Sequence, residues 1–256
     1  MSCVEPGRLT AHGEPPRYFT FPALAAAGLP HASTTRHCPG VTSPSQPTSP
    51  FTDGARETLA AAGLDLTRVA YARQVHGADV AHGLTRGGVA GAVDVLSTAT
   101  RGVPLAIFSA DCLAITLWDD EAGALGLAHV GWRGTAKRAQ HAAVDAVTAL
   151  GARAARLRVA IAPSIGPCCY EVGEPVTSEF TRAFGAARWE RWTRPTGNGR
   201  ARLDLWTANE ELLIAAGVDP GRIENPRLCT ACHPELLYSY RKGNRGRLVT
   251  LAALPG

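Results

Sequence analysis

Three short blocks of this sequence each place a histidine or a cysteine at the end of an apolar run. They read ARQVHGADV around His76, FSADCLAITLWD around Cys112 and LAHVGWRGTAKR around His129. Because a strand holds a side chain rigidly at the rim of a core, these three residues are candidates for one site. Two imidazoles and one thiolate suit zinc, and three protein ligands leave a fourth position for water or substrate, as in catalytic zinc sites.

The same residue types leave a second chemistry open. Cys112 and His129 could instead form the thiolate and imidazole pair of a hydrolase or an amidase that works without a metal. The spacing does not choose between the two, because the residues lie far apart in the chain. A copper oxidase is less favoured, since blue-copper and multicopper centres need more histidines in tight motifs than this chain has. A binding module without catalytic activity is the third alternative.

Residues beside the three blocks could complete such a site. Asp111, next to Cys112, could orient an imidazole or carry a proton. Gly131 and Gly134 enclose a turn ahead of a predicted helix, and the unpaired backbone N–H groups at a helix start can receive a phosphate. Arg133 lies in that turn and is a candidate for substrate binding.

The bulk composition limits the class of protein. With 256 residues, 45% of them hydrophobic and 19% charged, the chain has the composition of an ordinary globular protein. The formal net charge is +4 and the basic residues are spread along the chain, which favours small anionic ligands over nucleic acid. We therefore expect a small-molecule substrate, no nucleic-acid partner and no membrane partner. The oligomeric state is not predicted.

The cysteines indicate a compartment. They number seven, an odd set, and no apolar segment follows a basic start as it does in a signal peptide. Such a chain is typical of a reducing compartment, where cysteines serve metal binding, catalysis or packing rather than disulfides. No apolar run approaches the roughly 20 residues that a membrane-spanning helix needs. The sequence therefore predicts a cytoplasmic protein.

The ends and loops of the chain are marked by polar stretches. Residues 1–17 are polar and without period, which predicts a loosely ordered arm ahead of a single catalytic domain over residues 18–256. The stretch Cys38–Pro50 is rich in proline and serine and predicts a mobile surface loop.

Three apolar runs in close succession carry two of the candidate ligands. They are Leu105–Ala110, Leu113–Trp118 and Ala124–Val130. Continuous apolar runs of this length predict strands of a central sheet that is buried on both faces.

Helices and a closing hairpin are predicted around that sheet. Alanines at helical spacing predict a helix from Thr135 to Leu150, and Thr207 with Glu210 is placed as a capping box at the start of another. The segment Leu236–Leu254 is predicted to form a hairpin. Because this order is not a regular βαβ series, we expect a layered α+β sandwich.

Five short blocks, taken in order, resemble those of the YfiH-like family, whose members were once described as multicopper polyphenol oxidases or laccases. The blocks are QVHG, ADC, HVGWRG, IGPCCYEV, and LCT followed by YSYR. The resemblance extends from about His31 to Arg247, and five blocks in the right order are far more specific than any one of them. It implies a four-layer α/β/β/α sandwich with mixed sheets, similar to the fold of a toxin deamidase.

The resemblance also implies a function. It implies that His76, Cys112 and His129 bind zinc, and that the enzyme carries out phosphorolysis of adenosine, inosine and methylthioadenosine together with deamination of adenosine. The partners would be a small nucleoside and phosphate. Bacterial members are also named peptidoglycan editing factors, and the metal-free hydrolase or amidase would suit the editing of peptidoglycan precursors.

Further site residues follow from the same resemblance. Arg36 lies in HASTTRH, which is similar to the family's HGFSTR block, and its planar guanidinium suits bidentate binding of phosphate. Glu171 in the IGPCCYEV block is a candidate for acid/base catalysis. Tyr170 in that block and Arg241 at the end of YSYR are expected to line the substrate pocket. HCPGVTSPSQPTSPF stands where the family has a Gly-Gly-Val-Ser turn, which weakens any inference of substrate contacts from that loop.

The sequence does not assign a role to all of the remaining cysteines. Cys168 and Cys169 are adjacent, and adjacent cysteines are hard to bring onto one metal, so packing near the pocket is the favoured interpretation. The string from Cys229 through Cys232 to His233 fits the attachment pattern of c-type haem. A single short match in a chain without an export signal favours neither haem nor a second zinc site.

Overall fold

The computed structural model of the protein describes residues 8–42 and 49–256. The part of the predicted arm over residues 1–7, and residues 43–48 of the predicted loop Cys38–Pro50, lie outside these ranges. Within residues 8–17, Thr10–His12 forms a strand, whereas the sequence predicts no regular structure there. That the rest of the chain is a single catalytic domain stays a prediction.

The described residues form short and medium strands with helices between them. The strands are β1 (Thr10–His12), β2 (Tyr18–Thr20), β3 (His31–Thr34), β4 (Ala70–Tyr71), β5 (Val80–Ala81), β6 (Gly88–Val89), β7 (Val95–Thr98), β8 (Leu105–Ser109), β9 (Leu113–Asp119), β10 (Ala124–Val130), β11 (Arg158–Ile161), β12 (Glu171–Val172), β13 (Thr193–Gly197), β14 (Arg200–Leu203), β15 (Ile223–Glu224) and β16 (Leu248–Ala252). The helices are α1 (Pro22–Ala26), α2 (Asp53–Ala60), α3 (Trp132–Ala136), α4 (Ala139–Thr148), α5 (Glu174–Phe184), α6 (Ala186–Trp192) and α7 (Leu205–Ala215), with single 3-10 turns at Leu66–Arg68, Ala154–Arg156 and Pro220–Arg222. In the described part of the chain, no helix is both long and apolar enough to cross a membrane.

Two mixed sheets form the centre of the molecule. The strand order is β1-β2-β3-β16-β8-β4-β6 in the seven-stranded sheet and β15-β11-β9-β10-β7-β5 in the six-stranded sheet. Parallel pairings join β4 to β6 and β8, β5 to β7, and β11 to β15. The long central pairings, such as β9 with β10 and β16 with β8, are antiparallel. A small third sheet has the order β12-β14-β13.

The consecutive strands β8, β9 and β10 do not share one sheet, so the prediction of a single central sheet is wrong. β8 pairs with β16 and β4, whereas β9 pairs with β10 and β11. The chain passes from one sheet to the other at Asp111, whose φ of 92° lies in a region that favours glycine. An apolar run indicates that a strand is buried, but it does not indicate which sheet the strand joins.

The two sheets pack face to face, and helices cover their outer faces. Ile107 of β8, Trp118 of β9 and Leu127 of β10 belong to the apolar cluster that both sheets share. Leu59 of α2 packs with Phe108 on the outer side of the seven-stranded sheet, and α4, α5 and α7 pack on the outer side of the six-stranded sheet. The order helix, sheet, sheet, helix confirms the α+β fold with mixed sheets in four layers.

The long helix predicted from Thr135 to Leu150 is two helices. α3 ends at Ala136, and Arg138, with a φ of 62°, redirects the chain before α4 begins at Ala139. The spacing of the alanines continues across this break, so the periodicity did not reveal it.

Two other local predictions are wrong. The side chain of Asp204 accepts hydrogen bonds from the backbone N–H and the hydroxyl of Thr207, at 3.0 and 2.8 Å. Asp204 is therefore the N-cap of α7, and the capping box assigned to Thr207 and Glu210 does not form. The segment Leu236–Leu254 is not a hairpin, because it contributes the single strand β16, which pairs with β3 and β8.

Gly126 of β10 lies directly against Val147 of α4. A Cβ at this position would lie 2.7 Å from Cγ1 of Val147. We expect Gly126→Ala to lower the free energy of unfolding by about 1–3 kcal/mol, because overpacking forces side chains and backbone to shift. Val147→Ala removes the clashing methyl groups, so the double variant should be less destabilised than the sum of the two single variants. Urea unfolding of the three variants measures this, and strictly additive losses would contradict the assigned contact.

Candidate metal centre

His76, Cys112 and His129 converge on one point at the edge of the six-stranded sheet. His76 lies in the loop after β4, Cys112 lies directly ahead of β9, and His129 lies near the end of β10. Their candidate ligand atoms all lie within 4.8 Å of one another. The two imidazole rings meet edge to face, with centroids 4.9 Å apart.

This donor set fits a zinc ion. Bonds of about 2.0–2.3 Å in a tetrahedral arrangement put the donor atoms of zinc about 3.3–3.8 Å from one another. The three candidate donor atoms lie within 4.8 Å of one another, a limit that includes this separation, and they are two borderline nitrogen donors and one soft sulfur donor. That these residues bind a metal stays a prediction, and their geometry supports it.

A buried carboxylate holds two of the three side chains in place. Asp94 has no exposed surface and precedes β7. One of its oxygens accepts a hydrogen bond of 2.8 Å from Nδ1 of His129, which leaves Nε2 of that ring for a ligand. The backbone N–H groups of Val75, His76 and Gly77 also donate to Asp94, at 3.1, 3.0 and 2.7 Å. The carboxylate therefore fixes the loop of His76, whose φ of 59° is unfavourable for a non-glycine residue.

Gly131 leaves room for the sulfur atom. A Cβ at Gly131 would lie 2.7 Å from Sγ of Cys112 and 3.5 Å from Cδ2 of His76. A side chain at this position would displace the candidate ligands. From the sequence, Gly131 could belong either to a phosphate-binding helix start or to a tight turn, and α3 is only five residues long and offers no extended helix dipole.

The charges of the site favour a thiolate. Burial acts to raise the pKa of Cys112, but the neighbouring imidazoles of His129 and His76 outweigh it and lower this pKa to about 6. For His129, burial acts to lower the pKa, whereas the Cys112 thiolate and Asp94 raise it to about 9. Although burial opposes the shift, hydrogen bonds from His129 and Gly77 lower the pKa of Asp94 below its usual value. Cys112 is thus ionised at neutral pH, as a metal ligand or a nucleophile must be.

A cavity of about 660 Å³ opens beside the three side chains. His76, Cys112 and His129 form part of its wall. Aromatic side chains and arginines form much of the remainder: Phe108, Trp132, Tyr170, Tyr240, Arg73, Arg133, Arg241 and Arg247. Among the described residues that line it, Asp111 is the one carboxylate, so the cavity favours an anionic or electron-rich ligand.

Three predicted substrate-binding residues lie in this wall. The guanidinium carbon of Arg133 lies 4.3 Å from the ring centre of Trp132, and that of Arg241 lies 5.2 Å from the ring centre of Tyr170. Tyr170 is buried, and burial raises the pKa of its hydroxyl, so the group stays protonated and can donate a hydrogen bond. Their contact with a substrate stays a prediction.

Asp111 lines the cavity but does not orient an imidazole. Its two oxygens accept hydrogen bonds from the hydroxyl of Thr230, at 2.6 Å, and from the backbone N–H of Arg241, at 2.7 Å. Asp94 orients His129 instead. The other role that the sequence suggested for Asp111, the transfer of a proton, stays a prediction.

Two predicted catalytic residues, Arg36 and Glu171, are not among the residues that line the cavity. The guanidinium of Arg36 donates to the carbonyl of Pro234 and lies over the ring of Tyr238. The carboxylate of Glu171 is paired with Arg200 at 3.2 Å. Their local motifs did not indicate these partners, which come from distant parts of the chain.

Asp94, Arg73 and Arg247 were not among the residues predicted from the sequence. Asp94 precedes the apolar residues of β7 in the same way as Asp111 follows those of β8, so the signal that singled out Asp111 was also present there. Arg73 stands three residues before His76, within the quoted block ARQVHGADV. Arg247 lay in the segment that was wrongly predicted as a hairpin.

Comparisons with known proteins agree with the resemblance found in the sequence. The family model described as multi-copper polyphenol oxidoreductase laccase matches residues 52–255. A protein of Deinococcus radiodurans named purine nucleoside phosphorylase is 38% identical over 250 residues, which cover 91% of this chain and 93% of that protein. A protein of an unknown prokaryotic organism named adenosine deaminase RL5 is 36% identical over 160 residues, which cover 62% of this chain and 61% of that protein.

Two solved structures share the fold. The crystal structure of YlmD from Geobacillus stearothermophilus superposes with a TM-score of 0.83 at 29% identity, covering 96% of this chain and 99% of that chain. The crystal structure of the hypothetical protein YfiH from Bacillus licheniformis superposes with a TM-score of 0.81 at 26% identity, covering 93% of this chain and 96% of that chain. The resemblance to the YfiH-like family is thereby confirmed.

Asp94→Asn tests how the centre is organised. An amide has one acceptor oxygen and cannot serve all four N–H groups, so we expect the affinity for zinc to fall about 10–100-fold. Asp79→Asn, at an exposed carboxylate on the same loop, is the matched control and should leave the affinity unchanged. Competition with a chromophoric chelator measures both, and equal affinities for Asp94→Asn and the wild type would contradict the role of Asp94.

Proposed function

This chain belongs to the family described as multi-copper polyphenol oxidoreductase laccase, and we propose that it is a zinc-dependent purine nucleoside enzyme. We assign to it phosphorolysis of adenosine, inosine and methylthioadenosine, and deamination of adenosine. Relatives named purine nucleoside phosphorylase and adenosine deaminase support an enzyme of this kind. The observation that carries the proposal is the convergence of His76, Cys112 and His129 in the wall of a cavity of nucleoside size.

The residues favour zinc over a copper cluster. The chain has eight histidines, and among the described residues only His76 and His129 line the cavity. A multicopper centre needs several more imidazoles in close proximity. When bound, zinc would supply Lewis acidity at the cavity wall, which stabilises negative charge on a reacting oxygen.

The aromatic part of the wall would hold the purine. Phe108, Trp132 and Tyr170 offer apolar ring surface, and the volume of about 660 Å³ lies within the range of small-ligand sites. Tyr170 can also donate its hydroxyl proton to a ring nitrogen or a ribose oxygen, since burial raises its pKa and keeps it protonated.

The arginines would position phosphate for phosphorolysis. Arg241 already donates to the carbonyl oxygens of Glu171 and Cys169, at 2.9 and 3.3 Å. In contrast, the guanidinium groups of Arg133 and Arg73 make no hydrogen bond to any described residue, so their donors are available to a ligand. Planar guanidinium groups bind phosphate in a bidentate manner and hold it for attack on the ribose.

Asp111 would move the proton that deamination requires. It lies next to Cys112 and faces the same cavity. The hydrogen bonds from Thr230 and from Arg241 fix its two oxygens, and each carboxylate oxygen has a second lone pair that can accept a proton. A carboxylate held within reach of the substrate can act as a general base and then as a general acid.

Product analysis tests the proposed function. Zinc-loaded protein is incubated with adenosine, inosine or methylthioadenosine, with and without phosphate, and the products are identified by mass. We expect release of free base only when phosphate is present, and conversion of adenosine to inosine in both conditions. Cys112→Ser should lower both activities at least about 100-fold, whereas Cys38→Ser, at a thiol outside the cavity, should retain them. Absence of any product from all three nucleosides would contradict the proposal.

The metal-free hydrolase or amidase remains the alternative, and one observation favours it. The pKa of Cys112 near 6 and that of His129 near 9 describe a thiolate and imidazolium pair, as in cysteine hydrolases. Protein purified without chelator separates the two hypotheses. If it contains no zinc and yet loses activity on thiol alkylation, the alternative holds, whereas activity that returns with added zinc supports the nucleoside enzyme.

Arg133→Gln tests the phosphate site. Loss of hydrogen bonds to a charged group costs about 1.5–3 kcal/mol, so we expect the KM for phosphate to rise about 10–100-fold. Deamination of adenosine needs no phosphate and should change little. Arg36→Gln is the matched control, because Arg36 lies outside the cavity lining. A higher KM for phosphate in Arg36→Gln but not in Arg133→Gln would contradict the role of Arg133 and would indicate that Arg36 binds phosphate.

A further inference from the structure

Four sulfur atoms meet next to the cavity, in a place that the proposed reaction does not use. They belong to Cys168, Cys169, Cys229 and Cys232, and all lie within 4.8 Å of one another. Sγ of Cys232 lies 3.4 Å from that of Cys168 and 3.5 Å from that of Cys169. The sequence favoured packing for Cys168 and Cys169, because adjacent cysteines are hard to bring onto one metal, and it gave little support for a second zinc site at Cys229 and Cys232.

Backbone contacts bring the two cysteine-bearing segments together. Ser164 and Cys229 form an isolated parallel bridge, and the backbone N–H of Gly166 donates to Sγ of Cys229 at 3.3 Å. Cys229 is fully buried, and the N–H of Cys232 donates to the carbonyl of Cys229 at 3.2 Å, which closes one turn. Backbone hydrogen bonds therefore help to hold the two cysteine-bearing segments together.

The separations fit a tetrahedral metal. Zinc binds thiolates at about 2.3 Å, so four sulfur atoms around one ion lie about 3.8 Å from one another. The two distances of 3.4 and 3.5 Å are a few tenths of an ångström shorter than that value, and no pair exceeds 4.8 Å, so small side-chain movements would let the four sulfur atoms surround one ion. A site of four thiolates has no open position and is structural in kind.

The charges around the cluster suit a cation as well. Burial, together with the neighbouring Cys229 and Cys169, raises the pKa of Cys168 to about 12, and burial also raises the pKa of Cys169. Thiols that resist ionisation because they crowd each other become ligands when a divalent ion supplies the compensating charge. Arg202 donates to the carbonyl of Cys168 at 2.7 Å, and Lys242 lies close enough to affect Cys169, so positive side chains would balance a doubly negative site.

One of the four sulfur atoms is oxidised in this structure, because Cys232 takes part in a disulfide. A dithiol reductant would break this S–S bond by giving two electrons and two protons, so that both sulfur atoms become thiols and the reductant closes to its own disulfide. Binding of Zn²⁺ would then release the four thiol protons to solvent as four Zn–S bonds form.

We propose that Cys168, Cys169, Cys229 and Cys232, once reduced, form a second metal site that binds Zn²⁺ through four thiolates. Reduction of the disulfide of Cys232 is therefore a precondition of this site. The site would hold two neighbours of the cluster in place: Tyr170, which lines the cavity, and Thr230, which donates to Asp111.

Metal content measures the second site directly. Protein is reduced with a dithiol under argon, loaded with zinc, freed of excess metal and analysed by elemental mass spectrometry. We expect about two zinc ions per chain in the wild type, one in Cys112→Ser, one in Cys232→Ser and none in the double variant. Cys38→Ser, at a buried thiol outside both groups, is the matched control and should keep two. Wild type left oxidised should hold one.

The visible spectrum of bound Co²⁺ identifies the ligands, and circular dichroism shows whether the variants remain folded. In Cys112→Ser loaded with Co²⁺, the intense visible bands of a tetrahedral four-sulfur site should appear, and Cys168→Ser should remove them while circular dichroism shows a folded chain. Cys112→Ser without bound metal, or Cys232→Ser and Cys168→Ser that both retain two zinc ions, would overturn the proposal. These outcomes are independent of nucleoside turnover, so they do not depend on the proposed function.

Discussion

The centre of this protein depends on one buried carboxylate. Asp94 accepts hydrogen bonds from three consecutive backbone N–H groups of the His76 loop and from the ring of His129. Four donors compensate the loss of water around the charge, and they keep the pKa of Asp94 below its usual value although burial opposes this. Because the carboxylate becomes more acidic on folding, its contribution to stability is present above the pKa of an unfolded aspartate and is lost as the pH falls through the lower, folded value.

The arrangement of the two sheets explains why the candidate ligands meet. β9 and β10 are antiparallel neighbours, so the start of β9 at Cys112 and the end of β10 at His129 lie at the same edge. The crossing from β8 to β9 lies at the same place, and Ser109, Ala110 and Asp111 line the cavity there. Gly131 completes the arrangement because a glycine alone leaves space for the sulfur of Cys112. Each of these features is a local packing requirement, and together they put a thiolate, two imidazoles and a carboxylate against one cavity.

Much of the fold could be predicted, because buried strands are encoded locally. The run Ala124–Val130 was predicted as β10 with the observed bounds. The predicted starts of β8 and β9 are also correct, and their predicted ends differ from the observed ends by one residue. Sheet membership could not be predicted, since pairing depends on partners that are distant in the chain, such as β16 for β8. The cap of α7 was missed because Asp204 lies ahead of two apolar residues, and the pattern pointed to Thr207 instead.

The candidate site, too, could be predicted from the sequence only in part. His76, Cys112 and His129 were chosen as candidate metal ligands because family motifs surround them, whereas their residue types and spacing alone favoured a metal no more than a nucleophile. Arg36 and Glu171 were placed in the site by motif alone, and the structure pairs them with Pro234 and Arg200 outside the cavity. The approach of Cys168 and Cys169 to Cys229 and Cys232 spans some sixty residues, and no local pattern encodes a contact of that kind.

Anomalous diffraction at the zinc edge, from crystals grown with zinc, tests the central claim most directly. The account predicts a peak bonded to Sγ of Cys112 at about 2.3 Å and to Nε2 of His129 and one ring nitrogen of His76 at about 2.0–2.1 Å, with Asp94 still hydrogen-bonded to Nδ1 of His129. A peak coordinated by Asp94 itself, or no peak among these three side chains, would contradict it.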